Sequence, residues 1–517
     1  GQLRVVLTAA AGQRYDFGTI TVTGPETVPP GLPRSELPLE SGEPIVAATV
    51  EGAEANLLLR LPEQGYPFTE IGPRDILLDP ATGLGDYTLP VDPGPRARFG
   101  GYRTEGDLAF DAEHVGVIAR FERGELYDSR MVDDLREAMV ATNLFSSVSA
   151  EPVLTGETAP DGTEYVDILV RQDAGPPRSL TATAGFSTGQ GFRLEGAWEH
   201  RNLFPPEGAL RVAGVLGTKE QSVGATFRRS NAGKRDRTVL LTLEAGRRDY
   251  PAFEGYTALL SGRIARESTP IWQKRWTWAY GAELIATNET RFRRPAFDQP
   301  SDTYFIGGLV GQLGYDTSDD LLNPTSGFRI LGRTNPEVSL HNGTNPYIRN
   351  LIEGSAYYPV SEDLVVAGRA RFGSIFGIDR ANLAPSRRFY AGGGGSVRGF
   401  GFQELGPRSV VPNPDFDPEN PDKEPATLSF PIGGRSLNEF AIEGRYRFGN
   451  YGAVAFVDAG QVYESQYPQL SDMRFGVGIG ARVYTNFGPL RVDVATPIDR
   501  QPGESRISVY ISIGQAF

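Results

Sequence analysis

Cysteine is absent from the 517 residues, which removes disulfide bridges and thiolate metal sites. Histidine is nearly absent too. His114, His200 and His341 lie far apart, too scattered for a histidine-centred metal or proton-transfer site. Basic charge is in deficit, with a formal net charge of −13, whereas a nucleic-acid binder would present a basic face. Long apolar runs are missing: no stretch approaches the roughly 18 apolar residues that a spanning helix needs, so membrane insertion by helices is excluded. No nucleophile beside a base, no cluster of metal ligands and no phosphate loop emerges. The expectation is therefore not an enzyme, with no catalytic residue, metal, cofactor or nucleic-acid partner. Gly1 follows no start methionine or charged-then-apolar leader, which reads as a mature or trimmed chain.

What is abundant is glycine, at 63 residues, alongside 10% aromatics. A transmembrane barrel shares that composition with soluble all-β proteins, because each barrel strand carries only a weak hydropathy signal. The length permits two or three domains.

An internal repeat organises the first third. LTAAAGQRYDFGTITVTG at 7–24, LPVDPGPRARFGGYRTEG at 89–106 and LVRQDAGPPRSLTATAGF at 169–186 share one phrase. Gly12 and Gly94 lie 82 residues apart, and Gly94 and Gly175 lie 81 apart. Phe17/Phe99, Gly18/Gly100 and Gly24/Gly106 repeat the 82-residue offset, as do Gly42-Glu43 with Gly124-Glu125. Val50, Ala53 and Leu57 match Val132, Leu135 and Met139 at the same offset, and coincidence at that many positions is implausible. Residues 129–143 read as a helix capped at Ser129 with Val132, Leu135 and Met139 on one face, and Glu164–Arg171 as a half-buried strand. The units are small α/β modules at 12–94 and 95–175. Residues 1–11 read as the last strand of a preceding, mostly absent module.

From 176 to 517 the chain suits roughly 16 strands of about 9–11 residues with their turns. In 437–448, Phe440, Ile442, Tyr446 and Phe448 point one way and Glu439, Glu443, Arg445 and Arg447 the other. The same parity sets Phe475, Val477, Ile479 and Val483 against Arg474 and Arg482, and Leu364, Val366 and Phe372 against Arg369 and Arg371. A sandwich would also bury one face, but charged rather than merely polar side chains on the other favour a membrane barrel. The first strand is expected near 179–187 and the last at 505–517, with Ile507, Val509, Ile511, Ile513 and Phe517 on one face. A barrel in lipid must pair these two strands. That seam is expected at Ser179, Leu180 and Gly185 on one side and Ile511, Ile513, Gly514 and Phe517 on the other.

AGGGGSVRGFGFQELGPR stands at 391–408, FVDAG at 456–460, GPLRVDVA at 488–495, and a phenylalanine is last. These four features in this order resemble the BamA/TamA superfamily of POTRA-plus-barrel outer-membrane proteins. Within it the resemblance is nearest to the TamA branch, the barrel of the translocation and assembly module. It implies α+β POTRA repeats followed by an all-β, 16-stranded antiparallel transmembrane barrel, with a long extracellular loop at about 386–436. In that loop Val397, Arg398, Gly399 and Phe400 are the lumenal motif. A desolvated arginine needs carboxylates; family analogy makes Asp458 the first candidate and Asp493 the second, against an exposed arginine in a glycine-rich hairpin. The insertion 411–430 reads as an extended acidic loop. A Ca²⁺ site from Asp415, Asp417 and Glu419 is the weaker reading, since a glycine turn and a closing glutamate are missing.

The resemblance implies an assembly or translocation factor that inserts or exports clients through the lateral seam without fuel, in a Gram-negative outer membrane with the repeats in the periplasm. Its partners would be a TamB-like inner-membrane-anchored periplasmic protein, unfolded outer-membrane or autotransporter clients, and outer-membrane lipids. Residues 146–154 are the expected strand edge for capture. A dedicated two-partner secretion pore, a BamA-like core insertase and a phospholipid-transport component of the same two-membrane complex are the alternatives.

Overall fold

The computed structural model describes residues 12–187, 191–268, 273–291, 301–420, 423–485, 488–501 and 504–517. The strand expected at 1–11 lies outside them. The chain divides into two compact units, residues 1–176 and 177–517.

The first unit holds two sheets of like design. In one, β1 (Asp16–Thr23) is followed by helices α1 (Leu32–Ser35) and α2 (Ala47–Arg60) and by strands β2 (Glu70–Ile71), β3 (Asp75–Asp79) and β4 (Leu84–Asp92). In the other, β5 (Ala97–Gly106) precedes helices α3 (Ala112–Ile118) and α4 (Ser129–Val140) and strands β6 (Phe145–Thr158) and β7 (Glu164–Ala174). β1 runs parallel to β4, and β5 parallel to β7. Val50, Ala53 and Leu57 are the buried face of α2, and Val132, Leu135 and Met139 that of α4, so the residues matched by the 82-residue offset do the same packing. Asp128, not Ser129, caps α4: extended at φ −143°, it accepts from the Arg130 N–H, while Ser129 is already helical.

The repeat extends to a backbone irregularity. The register slips between Phe17 and Ile20 and again between Phe99 and Tyr102. At each slip an aspartate satisfies the displaced amide, with Thr19 N–H 2.6 Å from Asp86 Oδ1 and Gly101 N–H 2.6 Å from Asp167 Oδ1. A Cβ on Gly18 would sit 2.6 Å from Asp86 Oδ1, and one on Gly100 2.7 Å from Asp167 Oδ1. The glycines are there to admit the carboxylates.

The second unit is a barrel of sixteen strands. They begin with β8 (Arg178–Ser187), β9 (Gly191–Phe204), β10 (Gly208–Gly217), β11 (Glu220–Arg229), β12 (Thr238–Tyr250) and β13 (Phe253–Arg266). β14 (Trp276–Arg291), β15 (Ser301–Asp316), β16 (Gly327–Leu340), β17 (Thr344–Pro359) and β18 (Leu364–Phe376) follow. A long connection carries a two-stranded ribbon, β19 (Arg408–Pro412) with β20 (Thr427–Pro431), so the 411–430 insertion is the tip of a hairpin. β21 (Ser436–Phe448), β22 (Tyr451–Tyr463), β23 (Arg474–Thr485), β24 (Gly488–Pro497) and β25 (Ser508–Ile513) complete the wall.

Alternation along the wall separates two solvents. On β24, Leu490, Val492 and Val494 face out while Arg491, Asp493 and Ala495 are buried. Ile442, Leu284, Leu309 and Ile479 are each at least 60% exposed outside, a cost that water would penalise and hydrocarbon does not. Exposed aromatics ring both ends: Trp276, Tyr358 and Tyr451 at the rim where β8 begins, and Phe192, Tyr256 and Phe305 at the rim where it ends. Such girdles mark the two interfaces of a transmembrane barrel.

Closure is uneven. β12 and β13 pair continuously from Thr238 with Ala265 to Tyr250 with Phe253, whereas among the described residues β25 meets β8 through a single pair, Tyr510 with Ser187. The last strand also stops earlier than its alternation predicts. Gly514 takes φ +91°, open to glycine at no steric cost, and its N–H donates to Pro489 O at 2.8 Å. Phe517 therefore leaves the seam, correcting its expected place there. Its ring lies 5.4 Å from the guanidinium carbons of both Arg369 and Arg445, and Arg445 Nη2 donates to its carbonyl at 3.0 Å. Two cations over one ring reward this inward turn.

Asp167→Ala removes the acceptor for the Gly101 amide and the partner of Arg103 at 2.7 Å. The expected cost is about 1–3 kcal/mol, read as faster amide hydrogen exchange confined to β5 and β7.

Candidate functional site

The connection at 377–435 starts at the rim where β8 ends and folds back into the lumen. Val397 and Phe400 are buried in an apolar cluster with Ile375, Leu437 and Val462, and burial of these side chains draws the motif inward. Gly460, the last residue of the FVDAG phrase, leaves room for it: a Cβ there would meet Val397 Cγ2 at 2.6 Å.

This insertion desolvates Arg398, which is 1% exposed. Asp458 on β22 answers with bidentate geometry, Nε to Oδ2 at 2.7 Å and Nη2 to Oδ1 at 2.8 Å, and Oδ2 also accepts from the Arg398 backbone N–H at 2.9 Å. Nη1 reaches Asp493 Oδ2 on β24 at 3.1 Å. It also lies 3.0 Å from Glu443 Oε2 on β21, an ion pair without hydrogen-bond geometry. The guanidinium carbon sits 3.5 Å from the centre of the Phe456 ring. Both expected carboxylates are thus at Arg398, and Glu443 joins them. Further cations share the carboxylates: Arg445 is 2.6 Å from Glu443, Arg482 2.5 Å from Asp493 and Arg491 3.7 Å from Asp493. Four guanidiniums face three carboxylates in a region shut off from water, so the strands β21 to β24 are held together across the lumen by charge.

The motif also grips the last strand. Tyr510 Oη accepts from the Gly399 N–H at 3.1 Å and donates to Phe400 O at 2.9 Å. Gly399, at φ +102°, lies so near β24 that a Cβ would be 3.0 Å from Thr496 O. Tyr510 is the β25 residue that meets Ser187, so the lumenal loop holds the strand pair that, among the described residues, closes the barrel.

A second anchor was not foreseen. Arg387 pairs with Glu337 on β16, with Nε to Oε2 at 3.0 Å, and with Glu283 on β14 at 2.9 Å. The adjacent Ser386 donates its N–H to Glu289 Oε2 at 2.9 Å. Glu289 and Glu337 are buried. The loop is strapped to two separate stretches of wall.

At the seam, Ser179, Leu180 and Gly185 pair inward with Glu199, Trp198 and Arg193 of β9. Their other edge meets no strand among the described residues. Leu180 is 81% exposed, and Ile511 and Ile513 face outward as well. Gly514 sits at the inward bend. Asp417 in the insertion caps a turn, accepting from the Glu419 N–H at 2.9 Å, and no group of three metal-ligating side chains occurs among the described residues.

The sequence signals for Glu443, Arg445 and Arg482 were present as the charged parity of their strands, but parity names a face and not a partner. Arg387 carried no signal, because the carboxylates it meets are on strands more than 45 residues away in sequence.

A sixteen-stranded barrel whose lumen is occupied by a charge-pinned loop, preceded by strand-helix-strand repeats, defines the class. Residues 202–517 match the Omp85 superfamily domain, and the chain belongs to that superfamily of outer-membrane β-barrels. Outer membrane protein assembly factor BamA of Nitratidesulfovibrio vulgaris is 23% identical over 474 residues, covering 88% of this chain and 56% of that protein. BamA of Neisseria meningitidis serogroup B is 22% identical over 552 residues, covering 99% and 68%. The chain thus spans little more than half the length of the first relative. BamA from Haemophilus ducreyi lacking POTRA domains 1–3 superposes with a TM-score of 0.77 at 16% identity, over 96% of this chain and 99% of that one. CdiB from Acinetobacter baumannii gives 0.51 at 13% identity, over 98% and 91%. At these identities the likeness is one of fold.

Arg398→Ala strands Asp458 in a dry site, while Asp493 keeps Arg482, and is expected to cost about 3–5 kcal/mol. The readout is a lower temperature for the mobility shift of the folded barrel on electrophoresis. Arg387→Ala shares no partner with Arg398, so its loss adds to the first rather than being absorbed by it.

Proposed function

We propose that this chain is an outer-membrane factor that inserts or translocates other proteins through the gap between β8 and β25, without fuel. The observation that carries the reading is that, among the described residues, a single pair joins those strands. Nearly the whole of β8 has one edge with no partner among the described residues, and an extended client segment can complete that edge with backbone hydrogen bonds alone. Insertion of a client through a strand edge spares it the cost of carrying unpaired amides into hydrocarbon. The loop strapped across the lumen favours this lateral route over a path down the axis.

In this reading residues 12–94 and 95–175 are POTRA modules in the periplasm of a Gram-negative cell, followed by the barrel from 176. β6 is an edge strand of its sheet, with β7 on one side only, so 146–154 is the edge offered to clients or to a partner. The TamA-like form of the proposal has a TamB-like inner-membrane-anchored protein as that partner and unfolded outer-membrane or autotransporter proteins as clients.

Phe186 and Ile511 both face outward, and extending the Tyr510 and Ser187 pairing by one step sets them side by side. A disulfide formed between Phe186→Cys and Ile511→Cys is expected to stop client insertion while the barrel stays folded, with recovery on reduction. Undiminished insertion by the oxidised protein overturns the lateral route. With residues 1–176 as bait in native membranes, recovery of a long inner-membrane-anchored periplasmic protein supports the TamA-like form. Recovery of outer-membrane lipoproteins instead assigns the chain to a BamA-like machine.

A further inference from the structure

Behind the gap lies a lumenal cavity of about 590 Å³, within the range of about 300–1,000 Å³ typical of ligand sites. Its lining is strongly cationic, with Arg349, Arg371, Arg388 and Arg491 among the residues that form it. The charges of Arg349 and Arg491 are incompletely answered. Arg349 has no carboxylate within 4.0 Å among the described residues; its guanidinium lies 4.9 Å from the Phe389 ring, and its Nε is buried without an acceptor. Arg491 donates Nε to Ser512 Oγ at 3.0 Å and lies 3.7 Å from an Asp493 already claimed by Arg398 and Arg482; its Nη1 is buried without an acceptor. Arg388 is held by the carbonyls of Leu383 and Ile432. Arg371 is paired, at 3.4 Å from Glu353 and 3.3 Å from Glu439, and among the described residues Glu220 is the only carboxylate in the lining itself. Gly393, Gly394 and Gly395 also line the cavity, and their N–H groups find no acceptor among the described residues. Buried cationic donors without partners are costly, and an anion would satisfy several at once.

The other side of the cavity is apolar and faces out. Phe186 and Phe192, with ring centres 4.8 Å apart, and Ile511 contribute to the lining and are 38%, 71% and 50% exposed on the hydrocarbon side. One cavity therefore joins a cationic interior to the lipid-facing surface across the weakly closed seam. We propose that it binds the phosphate of a membrane lipid, the headgroup lying between Arg349, Arg371 and Arg491 and the acyl chains passing out over Phe186, Phe192 and Ile511. This goes beyond client insertion: it rests on the charge and shape of the cavity and holds whether or not proteins pass through the seam.

The test uses the full chain in a neutral detergent and counts bound lipid by native mass spectrometry. Phosphatidylglycerol is expected to be retained and diacylglycerol, which lacks the phosphate, is not. Arg349→Gln, which leaves the Arg398 cluster intact, and Arg491→Gln should each weaken retention about tenfold, the loss of one charge-assisted hydrogen bond, while Arg349→Lys keeps most of it. The mobility shift on heating checks that each variant is folded. Equal retention of diacylglycerol, or folded Arg→Gln variants that bind as the parent does, overturns the site. Inorganic phosphate bound in place of the lipid shows a free-anion site, and polyglutamate bound in its place shows a peptide site; either result overturns the lipid assignment.

Discussion

A strand edge that faces hydrocarbon has no water to take up its hydrogen bonds, so a barrel in lipid must close or pay several kcal/mol for each orphaned group. The rest of this molecule is arranged around how sparingly it meets that constraint. Fifteen of the sixteen strand junctions are ladders of at least six pairs, and the remaining one is, among the described residues, the single pair of Tyr510 with Ser187. What the ladder does not supply at that junction comes from inside. The Tyr510 hydroxyl is tied to Gly399 and Phe400 of the lumenal loop, and Phe517 is turned inward between Arg369 and Arg445.

The loop can serve as an internal brace because its own position is over-determined. Arg398 is bidentate on Asp458, reaches Asp493 and Glu443, and stacks on Phe456. Arg387 binds a different part of the wall. A buried ion pair is a poor source of net stability compared with apolar packing, but an expensive thing to break from one side. It therefore specifies where the loop sits more than it raises the stability of the barrel, and that is the property a brace needs.

How much of this was legible in the sequence depended on whether the information was periodic. The 82-residue repeat was readable to the level of Gly18 and Gly100, because a glycine that must admit a carboxylate recurs with the carboxylate, as Asp86 and Asp167 do. The wall was readable because side chains alternate with period two, and the charged parity of Glu443, Arg445 and Arg482 pointed to the lumen. Features set by one local competition were not. Asp128 and Ser129 are both good caps, and only the backbone angles decide between them. The end of β25 depends on Gly514 turning left-handed, although the alternation of apolar residues runs on past it. Arg387 and its glutamates are brought together by barrel closure alone, and no local pattern records that.

The magnitudes decide which part of the structure gives way. Among the described residues, undoing the seam removes one residue pair, and a client strand that takes its place restores those backbone hydrogen bonds. Withdrawing the loop means leaving carboxylates or an arginine unpaired in a dry site, at about 3–5 kcal/mol for each broken pair, and it has two anchors. In the proposed route, opening begins between β8 and β25 with the loop still in place. The gap has the lumenal arginines behind it and an apolar lip in front, which suits a guest that presents backbone to an edge or an anion to those cations. A neutral solute passing down the axis would meet the strap first.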